Sequence, residues 1–318
     1  MSQLAIERTT TAVPVRKQNI SLLQRIFRYR ESYLLILPTF LLILIFNYYP
    51  AASALYHSFF DWNGANVNKF SGLNNFVTMA HDAILWQSFG NLVKLTLISV
   101  VISLTFPLGA AALIFHLRDL RLAYFYRVLF VVPMVVPGLV VLMIWRFIYS
   151  PNLGLLNQIL KTVHLESWVR PWLGDFNLAL YAIMFIGFPW VAGFATLIYL
   201  AGFQSIPAEL LDSAAIDGAS TRQRFFAVEL PLVMSQIKLV VILTVIGSIQ
   251  SFTTIIVMTN GGPGTKTMVP GLFLYRNAMQ YNKMGYACAI GTVLFLITLV
   301  LTYLNTRYLK SSVEFAGA

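Results

Sequence analysis

Charged residues are scarce in this sequence, and they are absent from several long apolar stretches. Asp, Glu, Lys and Arg make up 11% of the 318 residues, whereas 58% are hydrophobic. A soluble globular chain averages about 25% charged and 45–50% apolar residues. Such a deficit of charge is typical of a chain that lipid surrounds, so we expect a membrane protein rather than two soluble domains.

The sequence also lacks the residue patterns of disulfides, metal sites and common catalytic sites. Cys288 is the single cysteine, which excludes an intrachain disulfide. The four histidines (His57, His81, His116 and His164) include no pair at ligand spacing, so we expect no metal site. The sequence has no P-loop, no metalloprotease motif and no nucleophile elbow, so we expect no catalysis by this chain.

Six apolar stretches have about the 20 residues that a helix needs to cross a bilayer. They are Tyr33–Tyr56, Leu95–Leu117, Val128–Trp145, Leu178–Leu200, Leu239–Met258 and Met284–Asn305. We therefore predict an all-α membrane protein with six transmembrane helices in a domain over residues 33–310, between tails 1–32 and 311–318. None of the stretches contains Asp or Glu, which argues against a proton- or sodium-coupled secondary transporter.

Near its end the first stretch contains Ala52-Ser53-Ala54, which resembles a signal-peptidase site. The stretch is longer than the apolar region of a signal peptide, and a mostly polar segment precedes it. We therefore expect an uncleaved anchor.

The basic residues cluster at the ends of the apolar stretches. The net charge of +10 is therefore typical of membrane orientation rather than of nucleic-acid binding. The N-terminus, the second–third loop, the fourth–fifth loop and the C-terminus carry fourteen Lys and Arg, against six in the other loops. This bias predicts that both termini are cytoplasmic. Residues 22–30 mix apolar and basic side chains, and form either a short interfacial helix or a flexible tail.

The fourth–fifth loop, Ile206–Pro231, has the pattern helix, glycine, helix. In chain order its signals are a helix start at Pro207, a good helix former over Ala208–Ile216, a left-handed position at Gly218, a cap at Ser220 or Thr221 and a stop at Pro231. A structured loop with apolar side chains needs a cover, which either a soluble partner or the membrane surface provides. The charged residues favour a protein partner, because they fix its register. The apolar residues are Leu210, Leu211, Ile216, Phe225 and Phe226, and the charged ones are Asp212, Asp217, Arg222 and Arg224.

This loop resembles the EAA loop of binding-protein-dependent ABC importer permeases, whose pattern is E-A-A-x-x-D-G-A-x-x-x-x-x-F-x-x-I-x-L-P. The corresponding positions, at the same spacing, are Asp212, Ser213, Ala214, Asp217, Gly218, Ala219, Phe225, Val228, Leu230 and Pro231. Asp212, Ser213 and Val228 are mild departures from the Glu, first Ala and Ile of the pattern. The resemblance implies the type I importer permease fold, in which this loop forms coupling helices that dock on a cytoplasmic ATPase subunit. The expected coupling residues are Glu209, Asp212, Ser213, Ala214, Asp217, Gly218, Ala219, Arg222, Arg224, Phe225, Leu230 and Pro231.

The resemblance also implies the partners and the location of the chain. The expected partners are a second, different permease chain, two cytoplasmic ABC ATPase subunits, an extracytoplasmic solute-binding protein and membrane lipid. ATP and Mg²⁺ are expected on the ATPase subunits and no cofactor on this chain. The implied location is the bacterial cytoplasmic (inner) membrane, crossed several times.

Further stretches resemble the carbohydrate permeases of this superfamily, of the maltose, multiple-sugar and glycerol-phosphate type. They are Tyr49-Pro50 with Ser58-Phe59 and Trp62, residues 71–76, the loop Thr259–Thr267, Tyr275, and Gly285-Tyr286-Ala287. The resemblance implies import of a sugar or oligosaccharide by alternating access. Import of an amino acid or another small polar solute stays open as the alternative.

The fifth stretch carries a polar arc. At about 100° per residue, one side of its helix collects hydroxyl, amide and small residues. They are Thr244, Gly247, Ser248, Gln250, Ser251 and Thr254. Neutral polar groups of this kind suit the hydroxyls of a sugar, so the arc is a candidate substrate pathway. Helix packing through small residues, with hydroxyls bonded to their own backbone, explains the pattern equally well.

Overall fold

The structure, a computed structural model, describes residues 29–308. These residues form two compact units, one up to Ser53 and the other from Ala54. The hypothesis of an interfacial helix over residues 22–30 falls outside the described residues, apart from Tyr29 and Arg30.

The first unit contains helix α1, Arg30–Ile43, and a π-helical turn, Leu44–Tyr48, which leads into α2, Tyr49–His57. Proline has no N–H to donate, so Pro50 interrupts the regular ladder of helix hydrogen bonds beside this wider turn. Together these segments form a helix, Arg30–His57, long and apolar enough to cross a membrane, with none of its apolar window buried inside the chain. The first predicted stretch lies within it.

The second unit begins with the end of α2 and a short antiparallel hairpin of β1, Phe60–Trp62, and β2, Asn68–Phe70. Helices form the remainder. They are α3 (Asn74–His81), α4 (Ala83–Phe115), α5 (Leu120–Val131), α6 (Gly138–Ile148), α7 (Leu155–Thr162), α8 (Ala179–Met184), α9 (Gly193–Gln204), α10 (Ala208–Ile216), α11 (Thr221–Arg224), α12 (Leu230–Leu232), α13 (Met234–Gln250), α14 (Thr253–Met258), α15 (Pro270–Met279) and α16 (Met284–Tyr308). Short 3₁₀ turns cover Val132–Val135 and Glu166–Trp168, and a second π-helical turn covers Phe225–Glu229.

Two further predicted stretches correspond to long, uninterrupted helices, α4 and α16. Helix α4 begins at Ala83, well before the predicted start at Leu95, because Asp82 caps it: Asp82 Oδ1 accepts from the backbone N–H of Ile84 and Leu85 at 3.0 and 3.1 Å. Polar residues in its first turns hide this start from a hydropathy criterion.

The third, fourth and fifth predicted stretches are not single helices, which corrects the sequence prediction. Helices α5 and α6 meet at 90° around Pro137, α8 and α9 are separated by residues 185–192, and α13 ends at Gln250 before α14 begins. Proline removes a backbone donor at two of these breaks, Pro137 and Pro189, and Gly187 adds a left-handed φ of 84° at the second.

The described residues therefore contain three helices able to cross a membrane by length and composition, or up to six if each bent pair is one span. The other two bent pairs are α9 with α10, at 69°, and α11–α12 with α13, at 66°. Both include part of the loop Ile206–Pro231.

Helix α4 is the centre of the second unit and packs against both α9 and α13. Two apolar clusters lie along it. The first contains Leu85, Met268 and Ile290, and the second contains Ala111 and Phe203. The loop Ile206–Pro231 rests on the second cluster, which therefore positions the first candidate site.

Candidate functional site

The loop Ile206–Pro231 folds as the sequence predicts over its first helix. Helix α10 spans Ala208–Ile216, with Pro207 at its N-cap. Its end is a Schellman motif: Gly218 N–H donates to Ala215 O at 3.1 Å, and Ala219 N–H donates to Ala214 O at 3.0 Å. Gly218 has a φ of 76° and supplies the left-handed residue that this motif requires.

The second half of the loop starts with a capping box on Ser220, which decides between the two predicted caps. Gln223 N–H donates to Ser220 Oγ at 3.3 Å, and Ser220 N–H donates to Gln223 Oε1 at 2.9 Å. The helical path then continues through the π-helical turn and past Pro231 to Leu232, one residue beyond the predicted stop. A 66° bend at Val233 leads into α13.

Three apolar side chains of this loop are exposed. Ile216 is 86% exposed, Phe226 57% and Leu210 40%. Four charged side chains of the same segment are also exposed, namely Glu209, Asp212, Asp217 and Arg222. Ser213 and Pro231 are also exposed, whereas Ala219 and Leu230 are half-buried and Ala214 is buried. We call the exposed residues Leu210, Ile216 and Phe226 with these four charges the loop face.

Other side chains of the loop anchor it in the second apolar cluster. Phe225 lies against Phe203, with ring centroids 6.3 Å apart, and Phe203 stacks on Phe115 at 5.6 Å. Leu211 also packs there. Two of the predicted apolar residues, Leu211 and Phe225, therefore hold the loop on the molecule and do not belong to its exposed face.

Arg224 also points inward. Its Nε donates to Glu229 Oε1 at 2.8 Å, and Glu229 is fully buried. The same oxygen contacts Nε2 of His116, which directly follows α4, at 3.1 Å. Sequence reasoning missed Glu229 and His116, because 113 residues separate them and neither has a local signal.

A second site is a cavity of about 460 Å³ among α4, α9, α13 and α14. Five of the six residues of the predicted polar arc line it: Thr244, Gly247, Ser248, Ser251 and Thr254. Gln250 does not, because it lies at the edge of the arc, as the last residue of α13, and its side chain is exposed. The arc was predicted from periodicity, but its last members reach the cavity from a broken helix.

The hydroxyl groups of this cavity differ in their hydrogen bonds. Thr244 Oγ1 donates to Val240 O at 2.8 Å, as a packing role predicts. Within residues 29–308, the hydroxyls of Ser248, Ser251 and Thr254 form no hydrogen bond with another protein group. These three groups are therefore free to bind a polar ligand.

Other elements complete the cavity with residues that the sequence did not single out. Helix α4 adds Ser99 and Ser103, and Trp190 comes from the break between α8 and α9. Trp190 has a left-handed φ of 57°, and its buried Nε1 has no hydrogen-bond partner among the described residues. Its ring is held by Phe106, Phe185 and Phe188 at centroid distances of 5.0–5.2 Å. None of the eighteen lining residues is charged.

The loop Thr259–Thr267 is fastened to the first turns of α4. Asn91 Nδ2 donates to Lys266 O and Met268 O at 2.8 and 2.9 Å, and Gln87 Nε2 donates to Thr265 O at 3.0 Å. Thr267 Oγ1 closes the loop on Gly262 O at 2.8 Å. The turn is therefore tied to a helix that is distant in the sequence.

Comparison with known proteins agrees with the loop motif. Residues 103–313 match the family described as binding-protein-dependent transport system inner membrane component. The chain belongs to this family. It is accordingly a membrane permease component of an ABC transporter, and the resemblance predicted from the loop Ile206–Pro231 is confirmed.

Relatives and one solved structure extend over most of the permease. It is 34% identical to the probable ABC transporter permease protein YurN of Bacillus subtilis over 283 residues, which cover 89% of this chain and 97% of YurN. It is 32% identical to the diacetylchitobiose uptake system permease protein NgcF of Streptomyces coelicolor, over 81% of this chain and 76% of NgcF. A bacterial ABC transporter that imports the acidic polysaccharide alginate shares its fold, with a TM-score of 0.79, 23% identity, and coverage of 91% of this chain and 99% of that one.

Proposed function

We propose that this permease carries a sugar or oligosaccharide across the cytoplasmic membrane by alternating access, through the 460 Å³ cavity. The observation that carries the proposal is the lining of that cavity: unbonded hydroxyls at Ser248, Ser251 and Thr254, the indole of Trp190, and no charge. Hydroxyl-rich neutral ligands match such a surface, since few placed polar groups on an apolar wall fix orientation in small-molecule sites.

The relatives support the same substrate class. NgcF is named as an uptake permease for diacetylchitobiose, and a second relative, MsmF of Streptococcus mutans, as a multiple sugar-binding transport system permease. Both are more than 30% identical to this chain over more than 80% of its length. An amino acid carries two charges that the uncharged cavity leaves unpaired, so the alternative of an amino acid importer is weaker.

The loop face serves to dock a separate ATPase subunit in this proposal. Its exposed apolar and charged side chains together suit a protein cleft. ATP and Mg²⁺ then bind two such subunits, whose closure draws the loops of this chain and of a second, different permease chain together and reorients the cavity. A solute-binding protein delivers the sugar from the opposite side, and both termini of this six-span chain are cytoplasmic.

The test uses the complete importer with its solute-binding protein, reconstituted in proteoliposomes. Uptake and ATP hydrolysis are measured against a panel of mono- and oligosaccharides and of amino acids. We expect stimulation by members of the sugar panel alone. Stimulation by amino acids alone would overturn the sugar assignment.

A substitution of Trp190 tests the same proposal at a single residue. Trp190→Phe replaces the indole that lines the cavity with a smaller ring, and we expect the half-saturating sugar concentration for ATPase stimulation to rise by about tenfold, a loss of about 1.4 kcal/mol of contact with the sugar. Trp168→Phe is the matched control, because Trp168 is an exposed tryptophan outside the cavity. Equal half-saturation in both variants would remove Trp190 from the substrate site.

A further inference from the structure

Glu229 is the one fully buried charged side chain among residues 29–308. The two ion pairs found in this part of the chain both end on it, one from Arg224 and one from His116. Taking a carboxylate out of water is unfavourable unless partners compensate for the lost hydration. The arrangement therefore depends on both partners being in place.

The contacts of His116 show where a proton lies. Nδ1 is 2.7 Å from Ala112 O, and because a carbonyl oxygen only accepts, Nδ1 must donate. Nε2 faces Glu229 Oε1 at 3.1 Å, and a neutral ring has no second N–H for that contact. A proton therefore lies between Nε2 and Oε1, and this hydrogen bond joins His116 directly to Glu229.

The three residues join two parts of the molecule. His116 is the C-cap of α4, and Arg224 and Glu229 belong to the second half of the loop Ile206–Pro231. Helix α4 also lines the cavity, with Ser99 and Ser103. Ser103 lies thirteen residues before His116 in the sequence, which is about 20 Å along the helix axis.

We propose that Glu229, with His116 and Arg224, is the link that transmits movement of the loop to α4, and through α4 to the wall of the cavity. The inference rests on the proposed function. Apolar contacts such as Phe225 on Phe203 permit sliding, whereas a buried carboxylate cannot leave its two partners without remaining uncompensated. The loop and the inner end of α4 therefore move as one body. Glu229 and His116 act as positioning residues, since they touch neither substrate nor nucleotide.

The experiment compares transport and ATP hydrolysis in the complete reconstituted importer. Glu229→Gln keeps the shape of the side chain and removes its charge, and His116→Gln removes the imidazole from a site that is 26% exposed. In each variant we expect normal recovery of all subunits, retained ATP hydrolysis, and a ratio of sugar transported to ATP hydrolysed that falls by about fivefold or more. The double variant should be no worse than either single one, because both break the same link.

Two controls make the result specific. Glu166→Gln makes the same chemical change at an exposed glutamate outside the loop and should leave the ratio unchanged. Glu229→Asp keeps the charge and should restore part of the ratio. An unchanged ratio in Glu229→Gln and His116→Gln would overturn the proposal, as would loss of subunit assembly with a normal ratio in the remaining complexes. Failure of the proposed function gives a different result: sugars then do not stimulate ATP hydrolysis by the wild-type complex.

Discussion

Gly218 sets the backbone geometry between α10 and α11. Its φ of 76° lies in the left-handed region, and an added Cβ would meet no atom within 4 Å. Any effect of a substitution therefore comes from backbone conformation and not from a clash. Left-handed geometry costs an ordinary L-residue about 1–2 kcal/mol.

We expect Gly218→Val to uncouple hydrolysis from transport, because the strained backbone shifts the angle between α10 and α11. Sugar uptake should fall while ATP hydrolysis persists, as measured in proteoliposomes. Gly218→Asn is the matched control, since asparagine tolerates the left-handed region, and it should retain most uptake. Normal uptake in Gly218→Val would show that this turn is not critical for coupling.

Some residues of the two sites follow from local rules, and others do not. Gly218 and Ser220 are predictable, because a Schellman end and a capping box involve only neighbours in the chain. Glu229 and Trp190 are not. A buried ion pair with His116 and a cavity wall supplied by an irregular segment depend on long-range packing, which periodicity does not encode.

At the scale of elements, the predicted helix Ala208–Ile216 coincides with α10, and the long helices α4 and α16 cover the second and sixth stretches. The fourth stretch was the least predictable. Hydropathy marks it as one apolar run, but Gly187 and Pro189 open it between α8 and α9. The composition of a segment indicates whether lipid or water surrounds it. The breaks inside the segment depend instead on single residues with unusual backbone requirements.

A prediction at the scale of elements concerns the loop face. It distinguishes a loop covered by an ATPase subunit from a loop covered by the membrane surface. Ile216 is 86% exposed at the end of α10. If an ATPase subunit covers it, burial contributes about 1.5–3 kcal/mol, so Ile216→Asp should reduce the affinity for that subunit by about tenfold or more.

Recovery of the ATPase subunit with affinity-purified permease, over a range of ATPase concentrations, measures this effect. Ile216→Val keeps most of the apolar surface and should bind normally. Unchanged binding of Ile216→Asp would favour the membrane surface as the cover of the loop instead.

At the scale of the whole molecule, the distribution of Lys and Arg predicts the orientation. Cysteine labelling with a membrane-impermeant maleimide tests it in intact cells, in a Cys288→Ala background that removes the single native thiol. We expect Ala65→Cys, between β1 and β2, to react from outside, and Ala316→Cys to react only after permeabilisation. Reaction of Ala316→Cys in intact cells would reverse the assigned orientation.

Helix α4 runs without interruption for 33 residues, about 50 Å. Its first turns hold the loop Thr259–Thr267 through Asn91, and its end contacts Glu229 through His116. In the proposed importer, one continuous helix thus extends from the side on which the solute-binding protein delivers the sugar to the loop that meets the ATPase. Thermodynamic linkage then requires reciprocity: the factor by which nucleotide changes the affinity for the binding protein is the factor by which the binding protein changes the affinity for nucleotide.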